Sequence, residues 1–298
     1  MASRHGSSWK NPRLEMNLKH TLKKFTPPVI VDLVRSTRQQ TAAEQQEPVR
    51  FVGNYGSWEE AARASAGYAA PEIFARTRAA MHKVKNGEAA FERDSVTFIV
   101  MEHPFPLLAG LLRVAVQDKG RLSVLDFGGS LGSSYFQSRA LLSAIKELRW
   151  NVVEQPEHVA CGRKEFADES LRFYETVEEC VSVEHPNVLL LSSVLAYLPR
   201  PYEFLHGVLA HAFSHVIVER TGFMSDGSDR LTVQHVPEWI YPATYPAWFL
   251  SEMSFRKCFQ PRYDLVCDYA GADCVHPEGG TAYFKGFMFD RCQSRELS

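Results

Sequence analysis

Val124-Leu125-Asp126-Phe127-Gly128-Gly129-Ser130-Leu131-Gly132 is an apolar run that ends on an aspartate and passes into a glycine-rich turn. A strand, a tight turn and a helix in that order open a β-α-β unit, and the spacing predicts a helix from the turn to about Leu148. Working outward, Trp150–Glu154 is a second strand and a helix follows Pro156. Leu171–Tyr174 is a third, followed by a short helix through Cys180. Asn187–Ser192 is a fourth, with the continuous apolar character of a strand covered on both faces. A helix begins near Pro199, and His215–Glu219 is a fifth strand. Such alternation means right-handed crossovers and a doubly wound parallel α/β sheet. Tyr263–Cys267 and Tyr283–Phe289 have no helix between them, so they read as a C-terminal antiparallel hairpin on the sheet edge. Ahead of the first strand the signals are helical. Ser57 and Glu60 form a capping box, Pro71 suits a first turn and Gly87 an end. Pro104 or Pro106 opens a further helix whose apolar stripe is Leu107, Leu108, Leu111, Leu112 and Val116, closed by Gly120. The expected organisation is a basic arm and linker over 1–48, a helical N-terminal extension over 49–120, and the ligand-binding domain over 121–298.

In a doubly wound sheet the ligand sits beyond the carboxyl ends of the strands, where glycines let backbone approach it and a helix offers free amides. A dinucleotide fingerprint would be G-x-G-x-x-G. Aligned from Gly128, Ser130 and Ser133 stand where its second and third glycines belong. The template D-x-G-x-G-x-G of S-adenosylmethionine (SAM) methyltransferases is met by Asp126, Gly128 and Gly132, with Ser130 replacing the middle glycine and Gly129 between. Glu154 ends the second strand, where a carboxylate can accept both hydroxyls of a nucleoside ribose. Ser192 and Ser193 end the fourth strand ahead of Tyr197, a shape that lines the methionine end of a SAM pocket; Tyr197 either closes that pocket or packs in the core.

With these residues in place, the chain from about Phe51 to Arg291 resembles a bacterial family of class I SAM-dependent methyltransferases. The resemblance is carried by Asn54–Trp58, Lys85–Glu88, Leu125–Tyr135, Val153–Pro156, Leu190–Leu195 and Ser228–Gln234. It implies a Rossmann-like sheet of seven strands whose last strand is antiparallel, with SAM as cofactor. It also implies an association with surface-polysaccharide biosynthesis.

Methyl transfer to a hydroxyl is helped by a base near the ends of the fourth and fifth strands. Glu219 and Arg220 end the fifth strand, and Thr221 to Tyr245 reads as a long loop rich in polar and aromatic groups. Glu219, Asp229, Arg230 and His235 are the candidate catalytic groups. For Glu219 the alternative is a structural ion pair with Arg220 or Arg230, and Tyr241, Tyr245 and Trp248 either line the site or cover the sheet. The expected function is O-methylation of a small or glycan-linked acceptor. The competing readings are a nicotinamide-dependent oxidoreductase or epimerase, disfavoured by the glycine pattern and by the lack of a Y-x-x-x-K pair, and a non-catalytic partner in glycan assembly.

Composition narrows the classes. The 298 residues are 45% apolar and 23% charged, with a formal charge of −2, which excludes disordered and collagen-like chains and argues against a nucleic-acid binder. No apolar run approaches the roughly 20 residues of a membrane-spanning helix. Residues 1–50 carry 9 Lys or Arg against 4 Asp or Glu, and the remainder 24 against 31, so a basic lead-in precedes an acidic body. Within it, Lys23–Arg35 is either a docked helix or a weak contact with anionic membrane headgroups. No secretory signal is expected, and the six cysteines lack any C-x-x-C pair, so a reducing cytoplasm is the simpler setting. Cys267, Cys274 and His276 match no common zinc spacing, and no metal is expected.

Overall fold

The computed structural model describes residues 48–65 and 71–292, without the side chains of 272–274. The expected arm, and with it the membrane contact through 23–35, lies outside the described residues. In chain order the elements are β1 (Arg50–Val52), α1 (Trp58–Arg63), α2 (Pro71–Lys85), β2 (Phe91–Arg93), β3 (Val96–Phe98), α3 (Phe105–Gln117), β4 (Arg121–Phe127) and α4 (Ser133–Leu142). They continue with β5 (Glu147–Val153), α5 (Pro156–Glu165), β6 (Leu171–Tyr174), α6 (Val177–Glu184), β7 (Val188–Ser192) and α7 (Pro201–Val208). The last are β8 (His215–Met224), β9 (Arg230–Val236), β10 (Ala243–Phe249), α8 (Glu252–Phe259), β11 (Tyr263–Val275) and β12 (Ala282–Arg291).

The main sheet has seven strands in the order β11-β12-β8-β7-β4-β5-β6. β4 through β8 pair in parallel, and β12 runs antiparallel between β8 and β11. This is the expected Rossmann-like, doubly wound sheet with an antiparallel terminal hairpin. Strand alternation explains why both faces are covered. Val124, Val188, Leu190, Ile217 and Met288 enter one core cluster with α3, α4 and α5. Leu125, Leu189, Leu191, Val216, Val218, Phe287 and Phe289 enter another with α7 and α8. The chain leaves β4 toward β5 and β6, then returns to place β7 on the other side of β4. The switch point between β4 and β7 is where the two crossover directions part and a crevice opens.

Several expectations change. The segment 49–120 is not purely helical: β1 joins a second sheet, and β2 and β3 form a hairpin. Its capping box is half formed. The Ser57 hydroxyl accepts from the Glu60 amide at 3.2 Å, but the Glu60 carboxylate takes the amide of Gly56 at 3.0 Å. In α3, Leu107, Leu108 and Leu111 are buried, whereas Leu112 and Val116 are exposed and Val114 takes the inner position. α4 stops at Leu142, because Glu147 already begins the ladder with Arg121. The largest change concerns Thr221 to Tyr245, which is not a loop. β8 runs on to Met224, and β9 pairs with β1 and β10 in an antiparallel sheet of three strands. Leu231 and Val233 of β9 are buried, and its polar members bond other segments; the Thr232 hydroxyl donates to the Ala247 carbonyl at 2.8 Å. Among the described residues no helix is long and apolar enough to cross a membrane.

Candidate active site

A cleft of about 640 Å³ opens at the switch point, beyond the ends of β4, β5 and β7 and beside Arg220 of β8. Its floor is the turn after β4. Gly128, Ser130 and Gly132 are all left-handed, with φ of +71°, +54° and +92°. Every second residue of the turn therefore takes a conformation that favours glycine, and Ser130 holds it with a side chain. A Cβ on Gly128 would lie 2.6 Å from Val194 Cγ2, and one on Gly129 would lie 2.5 Å from Asp126 Oδ2. The turn is thus folded down over the Asp126 carboxylate. Gly132 does not line the cleft. It starts α4, and its Cβ would press on Leu171 at 2.9 Å.

Asp126 is 1% exposed. Trp150 Nε1 donates to its Oδ2 at 2.9 Å, while Oδ1 is buried with no hydrogen-bond partner among the described residues. Burial pushes this carboxyl up to about 7, the nearby charge of Glu154 adds to the rise, and the Trp150 N–H opposes it. Glu154 follows β5 at the cleft wall, its Oε2 accepting the amide of Gln155 at 2.7 Å. Ser192 ends β7. Ser193, left-handed at +58°, turns the chain into the cleft and donates its amide to the Glu219 carbonyl at 3.0 Å. Tyr197 lines the cleft and donates its hydroxyl to Gln234 Oε1 at 3.0 Å, with its ring edge-on to Tyr245 at 5.5 Å. Burial raises its phenol. So eight of the residues expected to bind a cofactor, Asp126, Gly128, Gly129, Ser130, Glu154, Ser192, Ser193 and Tyr197, meet around one cavity.

None of Glu219, Asp229, Arg230 and His235 is among the cleft-lining residues. Glu219 is nearly buried and accepts a hydrogen bond from the Tyr269 hydroxyl on β11. Successive strand residues face opposite ways, so it is Arg220 that turns toward the cleft, its Nη2 3.4 Å from Ser192 Oγ. Asp229 braces the body, accepting from the Tyr202 hydroxyl at 2.5 Å and the Ser251 amide at 2.6 Å. Arg230 donates to the Glu278 carbonyl at 2.6 Å, and His235 sits on β9 opposite Arg50 and Thr244.

Of the roof, only Tyr241 and Tyr245 are candidates in the sequence, as residues that either line the site or cover the sheet. The roof is formed by Trp58, Ile73 and Thr77, by the β2–β3 hairpin with Glu92, Asp94 and Ser95, and by Tyr241 and Tyr245. Glu92 is 7% exposed, accepts from the Ser133 hydroxyl and from the Ser95 amide at 3.0 Å, and is pushed up by burial. Asp94 and Ser95 are left-handed at +52° and +67°. Strained non-glycine residues thus cluster around this cavity, as they do at functional sites. The signal for the hairpin was present: Phe91-Glu92-Arg93 and Val96-Thr97-Phe98 flank an Asp-Ser turn.

No protein-family model matches the chain, and no curated protein matches it. Among solved structures it is similar to a SAM-dependent methyltransferase from Methanosarcina mazei at 10% identity, over 63% of this chain and 98% of that one, with a TM-score of 0.45. It is similar to the N-terminal domain of EvdMO1, determined in the presence of SAH and D-fucose, at 15% identity over 72% and 97%, TM-score 0.42. A third is 1,6-didemethyltoxoflavin-N1-methyltransferase from Burkholderia thailandensis, at 16% identity over 76% and 93%, TM-score 0.37. Likeness this distant leaves the chemistry of this chain to its own cleft.

Proposed function

We propose that this chain is a SAM-dependent methyltransferase that methylates an oxygen of a small or glycan-linked acceptor. The observation that carries the reading is the β4 turn. Its left-handed positions 128, 130 and 132 fall on the three glycine positions of the D-x-G-x-G-x-G template, and it lies at the switch point of the sheet. The residues fit the cofactor. Gly128 and Gly129 leave a backbone surface that a Cβ would fill, and Asp126 presents a buried carboxylate oxygen without a partner among the described residues. Asp126 would meet a cationic amino group, Glu154 would accept the two ribose hydroxyls, and Ser192 and Ser193 would line the methionine end. When bound, SAM supplies an electrophilic methyl group on a sulfonium sulfur. The protein's own work is to align the acceptor with that group and to keep water out, for which Tyr197, Tyr241, Tyr245 and Leu198 supply the wall.

The family resemblance favours a surface-polysaccharide acceptor, and the aromatic roof suits a sugar ring. This reading puts the protein in the cytoplasm. Thermal unfolding with added nucleosides tests the cofactor. SAM or SAH at 100 times its Kd raises stability by about 2.7 kcal/mol, and NAD and NADP leave it unchanged. A shift with NADP and none with SAM or SAH would overturn the assignment.

A further inference from the structure

The cleft holds five carboxylates, Glu92, Asp94, Asp126, Glu154 and Glu175, and their settings differ. Asp126 lies beneath the β4 turn, and Glu154 stands at the end of β5. Asp94 and Glu175 are exposed. Glu92 alone is buried on the roof, fixed by two donors from different elements: the Ser95 amide of its own hairpin and the Ser133 hydroxyl at the start of α4. Each carboxylate oxygen has two acceptor sites, so both donors leave a lone pair on each oxygen. Glu92 also shares its surroundings with the rest of the roof. Arg220 from β8 and Asp94 act on it electrostatically, and Tyr241, packed against Tyr245, feels its charge.

We infer that Glu92 is the general base of the reaction, and that the acceptor hydroxyl lies between the β2–β3 hairpin and the Tyr197–Tyr241–Tyr245 wall. This rests on the methyltransferase reading. As the acceptor oxygen forms its bond to the methyl carbon, the cofactor's sulfur–carbon bond breaks and its electron pair stays on sulfur. The hydroxyl proton passes to a Glu92 carboxylate oxygen. Burial serves this role, because it raises the carboxyl above its ordinary value and so strengthens it as a base. Arg220 opposes the rise and Asp94 adds to it.

The test uses the full chain, tritiated-methyl SAM, and an extract of source cells lacking this protein as the supply of acceptor. Wild type, E92Q and E92D are compared for label transfer, SAH affinity by calorimetry, and pH profile. E92Q keeps oxygen and shape, so SAH affinity stays within about twofold while transfer falls by about 100-fold or more. The wild-type rate rises with pH to a plateau, E92Q lacks that limb, and E92D recovers part of the rate. Transfer by E92Q near the wild-type rate overturns the proposal. So does loss of SAH binding in both variants, which marks Glu92 as a latch between hairpin and helix. Wild type that binds SAH but labels nothing overturns this inference and leaves the cofactor reading standing. Wild type that does not bind SAH strikes the function itself.

Discussion

Gly128, Ser130 and Gly132, on the floor of the cleft and at its helix start, take their left-handed conformations within one short turn. Glu92, Tyr197 and Tyr245 on the roof are brought together from distant parts of the body. The floor is backbone geometry, in which an added carbon meets Val194 or Asp126 at once. The roof is side-chain chemistry: a buried carboxylate, a pair of tyrosine hydroxyls 3.3 Å apart, and a phenol bonded to Gln234. Damage to the floor is therefore steric and should strike folding and cofactor together. Damage to the roof should strike the acceptor and spare the cofactor.

The strongest way to break this contrast is Gly128→Ala. The substitution adds left-handed strain to a contact with Val194, and together these should cost about 3 kcal/mol of stability. Chemical denaturation should show the loss and calorimetry a matching fall in SAH binding. An unchanged protein would mean that the turn relaxes freely and that the floor is no stiffer than the roof.

Next in size is Glu154→Ala. A hydrogen bond to a charged group is worth roughly 1.5–3 kcal/mol, so SAH affinity should fall by about one to two orders of magnitude, and by less in Glu154→Gln. The melting temperature of the ligand-free protein should hardly move, since among the described residues the carboxylate bonds just the neighbouring amide. Parental affinity in the alanine variant would remove Glu154 from the ribose.

Asp126 sharpens the contrast through pH. Its folded pKa, about 7, lies above the ordinary 3.8. Its contribution to stability is thus present below the unfolded value and is lost as pH rises through 7. Asp126→Asn should flatten the fall in melting temperature between pH 5 and pH 8, by about 2 kcal/mol at the alkaline end. Glu92 carries the same sign, so some slope should remain. An equal slope in both proteins would refute the raised value at Asp126.

The smallest effect belongs to Ser130→Gly. Relief of left-handed strain is partly offset by the greater backbone entropy of an unfolded glycine, so stability should rise by about 1 kcal/mol or less with SAH binding retained. A destabilised variant would show that the Ser130 side chain has work of its own.

The floor could be read from sequence because each of its demands is local. A parallel strand covered on both faces needs a continuous apolar run, a left-handed turn selects glycine, and a carboxylate two residues before Gly128 falls next to the strand end. Glu154, Ser192 and Ser193 followed for the same reason, since in a parallel sheet the ends of neighbouring strands lie side by side. The choice of Glu219, by contrast, located the right stretch of β8 and the wrong face. Glu219, bonded to Tyr269, and Arg220, in the cleft, are neighbours in the chain, and alternation alone does not say which of the two faces the cleft. Asp229, Arg230 and His235 lie outside the cleft because their segment, read as a loop, is β9 and its approaches: Asp229 bonds Tyr202 and Ser251, Arg230 the loop at Glu278, and His235 pairs with β1 and β10.

What the sequence by itself determined is therefore the doubly wound sheet, its antiparallel last strand and the loop at its switch point. Hydrophobic period and backbone conformational preference are properties of consecutive residues. Only the tertiary structure decided that Glu92, Arg220, Tyr241 and Tyr245 face one another across a cavity, and that Asp126 is buried enough to hold a proton near neutrality. Those properties depend on desolvation and on contacts between residues far apart in the chain, and no local pattern encodes which of several carboxylates ends up dry.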